Sequence, residues 1–218
     1  GKYFQNKINI LIEKKTKKKE KIFNELYDMT GKNLIISTAC VDKKKLVYFN
    51  HIDYPDMIVN LTIRMAISIP ILFSPIKHND LYYVDGGLLN NYPINLFDSS
   101  DKNILGFIFK KNKSEKIDSF FSYLRTLIFT PLDDKEFEIL NLYNEQSIII
   151  DCGDNTVFDF EMDLDKKKDL YNIGYNSIKK FFENREEKYN QNWINLIEKI
   201  NNFNLIDLIR HMKLNFLN

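Results

Sequence analysis

Leu81-Tyr82-Tyr83-Val84-Asp85-Gly86-Gly87-Leu88-Leu89-Asn90-Asn91-Tyr92-Pro93 is the stretch on which the fold turns. Leu81 to Val84 has the aromatic and β-branched character of a short strand, and it runs straight into an aspartate and two glycines. A carboxylate at the C-terminal end of a buried strand stands where α/β sheets place their active sites. Two glycines let the backbone turn sharply and let a second chain segment approach closely. Such an aspartate stays ionised near its reference pKa of about 3.9 unless burial raises it, so it suits the role of general base. Asp-Gly turns after strands are also common as plain structural caps. On the triplet alone, both readings stand.

Working outward, the pattern alternates. Phe4, Ile8, Ile10, Leu11 and Ile12 start the chain in an amphipathic helix. Ile22, Phe23, Leu26 and Tyr27 make a second, with Gly31 just past its end. Leu34 to Val41 and Leu46 to Phe49 read as paired strands around the turn Asp42-Lys43-Lys44-Lys45. Pro55-Asp56 reads as a helix start, with Asp56 as N-cap of an apolar run from Met57 to Ile67. Only Asn60, Thr62 and Arg64 break that run, so the helix is expected to be buried on most faces. Downstream, Asn103 to Phe109 and Ser147 to Ile150 are further strands, each beside helical pattern. Strands alternating with helices argue an α/β fold. From Leu164 the strands stop. Leu170, Ile173, Gly174, Ile178, Phe181 and Phe182 form one helical stripe, continued by Trp193, Leu196, Ile197, Ile200, Leu205, Ile206, Ile209 and Met212. This tail reads as a helical cap on the sheet, with a lipid-surface or partner-binding element as the alternative.

A second block precedes the aspartate: Arg64-Met65-Ala66-Ile67-Ser68-Ile69-Pro70-Ile71-Leu72-Phe73-Ser74-Pro75. Taken together, the two blocks resemble the patatin-like phospholipase family. Ala66, Ser68, Pro70, Phe73 and Pro75 match its first motif, and Asp85, Gly86, Gly87, Asn91 and Pro93 match its second. The resemblance covers residues 20 to 110 well and extends weakly to about residue 185. It implies a three-layer α/β/α domain with helices on both faces of a sheet. It also implies an acyl hydrolase with a serine–aspartate dyad, in which the aspartate takes the serine proton without a histidine. Asp85 maps onto that aspartate, Gly86 and Gly87 shape its turn, and Asn91 and Pro93 hold the segment after it. The family's serine lies in a Gly-x-Ser-x-Gly elbow, preceded by a Gly-rich loop that supplies oxyanion donors. Neither motif is present in this sequence of seven glycines. With a first residue Gly1, the expectation is a chain whose N-terminal part, nucleophile included, lies elsewhere.

No other residue replaces the nucleophile. Ser68 lies between Ile67 and Ile69 with no neighbouring glycine to form an elbow, and is expected to be a core hydroxyl. His51 and His78 lie on polar segments and His211 beside Arg210, so none is assigned to a triad. Cys40 and Cys152 make neither a disulfide framework nor a zinc site, and no metal-ligand spacing is traced. No organic cofactor or metal is implied. The net charge of +1 gives no global field for nucleic acid. The run Lys14 to Lys21 reads as a solvated loop, with an anionic-lipid contact as the minority alternative. The longest strongly apolar run, Met65 to Phe73, falls far short of the roughly 18 residues of a membrane span.

The expectation is therefore a partial patatin-like domain over residues 1–160 and a helical extension over 161–218. The complete protein would hydrolyse acyl esters of phospholipids or related lipids, meeting the membrane as a surface from the cytoplasm or its periphery. The rival from another class is a catalytically inactive lipid- or protein-binding module on the same fold.

Overall fold

Hairpin turns organise the main sheet. In the computed structural model, which describes residues 2–101, 103–110, 117–153 and 162–183, β1 (Ile36–Cys40) and β2 (Lys45–Phe49) pair antiparallel, Ile36 opposite Phe49. β3 (Ile76–His78) and β4 (Leu81–Asp85) form a second hairpin, His78 opposite Leu81. Its two central residues, Asn79 and Asp80, have φ of 47° and 60°. A two-residue loop with positive φ at both positions matches the twist of the strands it joins. The hairpins share an edge through β1 and β4, with Thr38 opposite Asp85, giving the order β2-β1-β4-β3. The protein is mixed α/β, yet this sheet is antiparallel throughout. Around it, helices alternate with strand pairs rather than with single strands.

The chain divides into two compact units, one built on residues 1–102 and 115–144, the other on 103–114 and 145–218. In the first, α1 (Lys2–Thr16), α2 (Phe23–Thr30) and α3 (Val59–Ala66) accompany the sheet. Gly31 ends α2 at φ 64° with its N–H on the Tyr27 carbonyl, the left-handed cap that glycine favours. Phe23, Cys40, Val47, Phe49, Met57, Val59, Met65 and Tyr83 make the core. The lysine run leaves α1 at Thr16 as an exposed loop, except for Lys21, which is buried.

α3 departs from its expected start. Asp56 does not cap it: the helix begins at Val59, and its flanking residue Ile58 is extended with no side-chain cap. Residues 55–58 are committed to another partner. Ile58 bridges Ile22, the Phe23 N–H donates to the Met57 carbonyl, and the Val59 N–H donates to that of Lys21. That pairing keeps Ile58 extended and starts the helix two residues later than expected. The helix is buried on most faces as expected, and its polar residues Asn60, Thr62 and Arg64 are buried with the apolar ones. Asn60 and Thr62 have no exposed surface, and Arg64 is 4% exposed. Each is satisfied: Asn60 Nδ2 donates to Asn9 Oδ1 and the Lys19 carbonyl, both at 2.9 Å, and Thr62 Oγ1 donates to the Ile58 carbonyl.

α4 (Phe120–Leu142) closes the first unit. Ser119 caps it in a reciprocal box with Ser122, each side chain accepting from the other's backbone N–H. In the second unit β5 (Gly106–Phe109) and β6 (Ser147–Ile150) pair parallel, Gly106 opposite Ser147. Ile108, Ile148 and Ile150 are buried while Phe107, Phe109 and Ile149 are exposed, the alternation of a one-sided strand pair. α5 (Leu164–Glu183) carries the expected stripe and buries Phe182. The stripe expected from Trp193 to Met212 lies outside the described residues, as does His211.

Candidate active site

β4 delivers Asp85 to the end of the sheet and a short 3₁₀ turn, Gly86–Leu88, carries the chain away. Two bonds fix the aspartate. Its backbone N–H donates to the Ser68 carbonyl at 3.0 Å, and its Oδ1 accepts the Gly87 N–H at 2.8 Å. Oδ2 has no hydrogen-bond donor among the described residues. The side chain is half-buried, and burial pushes its pKa above the ordinary carboxylate value while the Gly87 N–H opposes that rise. The result is a carboxylate held through Oδ1, with Oδ2 left to accept a further hydrogen bond.

Each glycine is required by a close approach, with no need for positive φ. A Cβ on Gly86 would stand 2.7 Å from the backbone carbon and oxygen of Ser37 on β1. One on Gly87 would stand 2.8 Å from Asn91 Oδ1 and 3.1 Å from Asp85 Oδ1. The turn is thus wedged between β1 and the Asn91 side chain. Asn91 Nδ2 in turn donates to Glu136 Oε2 of α4 at 2.9 Å. Asn90, which sequence reasoning passed over, is 4% exposed; its Nδ2 donates to Asn95 Oδ1 and its Oδ1 accepts the Tyr92 N–H. Pro93 opens a second 3₁₀ turn, Pro93–Leu96, where a missing N–H costs nothing. Ser37, Asn90 and Glu136 had no sequence signal beyond Asn90's place beside Asn91.

Residues 7–98 match the model of the patatin-like phospholipase family. Over this region the chain is similar to that family. A probable lipid hydrolase of Invertebrate iridescent virus 6 is 39% identical over 74 residues, 34% of this chain and 26% of that protein. An uncharacterized protein of Acanthamoeba polyphaga mimivirus is 29% identical over 190 residues, 82% of this chain and 64% of the relative. An uncharacterized Bacillus subtilis protein is 31% identical over 131 residues, 55% and 45% of the two chains. The chain spans less than two thirds of each of these relatives.

The patatin-like region holds Ser68 in the core. It has no exposed surface, accepts a hydrogen bond from Arg64 Nη1 at 2.6 Å and donates one to the Arg64 carbonyl at 2.8 Å. Its carbonyl, one bond system away, anchors Asp85. Arg64 is unusual. Its guanidinium lies under the Phe73 ring with no carboxylate at ion-pair distance among the described residues, and burial lowers its pKa. The histidines are elsewhere: His51 stacks on Tyr27 and meets Asn33 Oδ1, and His78 ends β3 beside the Tyr83 ring. Cys40 is buried and Cys152 partly exposed, and neither forms a disulfide. Among the described residues no three His, Cys, Asp or Glu side chains gather as metal ligands, and no helix is long and apolar enough to cross a membrane.

Proposed function

We propose that the complete protein is a lipid acyl hydrolase in which Asp85 is the general base of a serine–aspartate dyad. The observation that carries this reading is Asp85 itself: a half-buried carboxylate with raised pKa, Oδ1 engaged by Gly87, Oδ2 without a donor among the described residues. Oδ2 would accept the proton of a serine hydroxyl as its oxygen attacks the ester carbonyl, and return it to the leaving alcohol. No serine of this sequence stands in a Gly-x-Ser-x-Gly turn. The nucleophile and the oxyanion donors are therefore assigned to sequence beyond these 218 residues. Gly86 and Gly87 shape the turn, while Asn91 and Pro93 hold the segment after it. The substrate class is a phospholipid or other acyl lipid met at a membrane surface, in keeping with the family and with the iridescent virus relative's description as a probable lipid hydrolase.

Asp85→Asn preserves the Gly87 hydrogen bond but removes the base. In the full-length protein, phospholipid or short-chain ester turnover should fall about 10² to 10⁴-fold, the usual contribution of a positioned acid–base group. Turnover at the wild-type rate would reduce Asp85 to a turn residue, whereas no turnover by the full-length wild type would favour the non-catalytic binding module.

A further inference from the structure

The Asp-Gly-Gly turn is gripped by a helix outside the family-matched residues. α4 meets the segment that leaves the turn twice: Glu136 Oε2 accepts from Asn91 Nδ2 at 2.9 Å and Lys135 Nζ donates to the Leu89 carbonyl at 3.0 Å; just past its end, the Tyr143 hydroxyl donates to the Phe97 carbonyl farther along. Along α4, only Ser122 and Glu136 are buried among the described side chains. Glu136 is 7% exposed while its neighbour Phe137 is 63% exposed. A helix seated by the hydrophobic effect would do the reverse. Burying a carboxylate is unfavourable unless it is hydrogen-bonded, so this seating is explained by what Glu136 bonds to.

Resting on the assignment of Asp85 as base, we propose that Glu136 is a positioning residue for it, acting through Asn91 and Gly87. Glu136 fixes the Asn91 amide by accepting from Nδ2. That sets Asn91 Oδ1 beside Gly87, 2.8 Å from where a Cβ would be. Gly87 in turn donates its N–H to Asp85 Oδ1. Three links in series hold the carboxylate by Oδ1 and leave Oδ2 without a donor among the described residues. Removing the first lets the Asn91 side chain rotate, and the turn loses the wall that sets the Gly87 N–H. β1 bounds the other side of the turn through Ser37, which carries no charge and does not change with pH.

The test uses the full-length enzyme and four variants, with kcat and KM read separately and urea midpoints as the check on folding. Glu136→Ala should lower kcat about 10- to 100-fold with little change in KM, since a misplaced catalytic group costs rate rather than binding. Glu136→Gln retains an acceptor for Asn91 Nδ2 and should recover most of that loss. Asn91→Ala cuts the same bond from its other end, and the Glu136→Ala/Asn91→Ala double variant should be no worse than the poorer single, as expected of residues in one chain of contacts. If Glu136→Ala is too unstable to assay, the Asn91→Ala comparison with Glu136→Gln carries the test. The proposal is overturned if Glu136→Ala keeps wild-type kcat, if Gln is as impaired as Ala, or if the two alanine losses multiply. Asp85→Asn is run beside them: its loss with Glu136→Ala retained sinks the positioning role alone, whereas full activity of Asp85→Asn sinks the base assignment.

Discussion

Asp85 sits under two opposed influences. Burial raises its pKa and is the larger, while the Gly87 N–H, which prefers the ionised oxygen, lowers it. The sign for stability follows. A carboxyl whose pKa is higher in the folded than in the unfolded chain binds its proton more tightly when folded. Its contribution is complete below the unfolded carboxylate pKa and is lost as pH rises through the folded value. At neutral pH the ionised, half-buried carboxylate is thus a cost to the fold. Asn at this position mimics the protonated form and keeps an oxygen for Gly87. Full-length Asp85→Asn is accordingly expected to show a higher urea midpoint than wild type at pH 7, an advantage that shrinks as pH is lowered through the raised pKa. The same group should place the acidic limb of the wild-type kcat/KM profile above the ordinary carboxylate range. Equal midpoints at every pH, with an acidic limb at the reference value, would contradict a desolvated base.

At the scale of elements, the turn after β4 depends on how closely β1 approaches it. Gly86→Ala drives a methyl group onto the Ser37 backbone at 2.7 Å, and backbone has no rotamer by which to yield. Forcing extra volume into such a contact typically costs about 1 to 3 kcal/mol. The variant should lose that much in urea titration and should also lose activity, because the strand that carries Asp85 is pushed from its neighbour; a neutral outcome would mean that β1 relaxes freely. Much of this arrangement was legible in the residues. Strand character in Leu81 to Val84 and the breaks at Gly31 and Pro70 mark elements that the fold contains, because each rests on local chemistry. What depends on partners distant in sequence was not. The late start of α3 is imposed by residues 21–23, more than thirty positions away. β3 is only Ile76–His78, too short for a periodicity, although Asn79-Asp80 was available as its turn signal. α4 was hidden because its apolar residues do not mark its buried side: Phe120, Phe121 and Phe137 are exposed, and the contact that matters is made by a carboxylate.

For the whole molecule, the account joins a turn visible in this chain to a nucleophile that is not. The described residues supply a seated Asp85, a turn fitted between β1 and Asn91, and a core serine already occupied by Arg64. Transition-state stabilisation in acyl transfer further requires an activated hydroxyl and oxyanion donors. The most direct measurement is the rate at which a fluorophosphonate probe labels the full-length protein and its Asp85→Asn variant, with the labelled serine located by peptide mapping. The account predicts labelling at a single serine outside these 218 residues, slowed about 10² to 10⁴-fold in Asp85→Asn, as expected when the group that takes the hydroxyl proton is removed. Labelling of any serine within residues 1–218, or the same labelling rate with and without the Asp85 carboxylate, would contradict it.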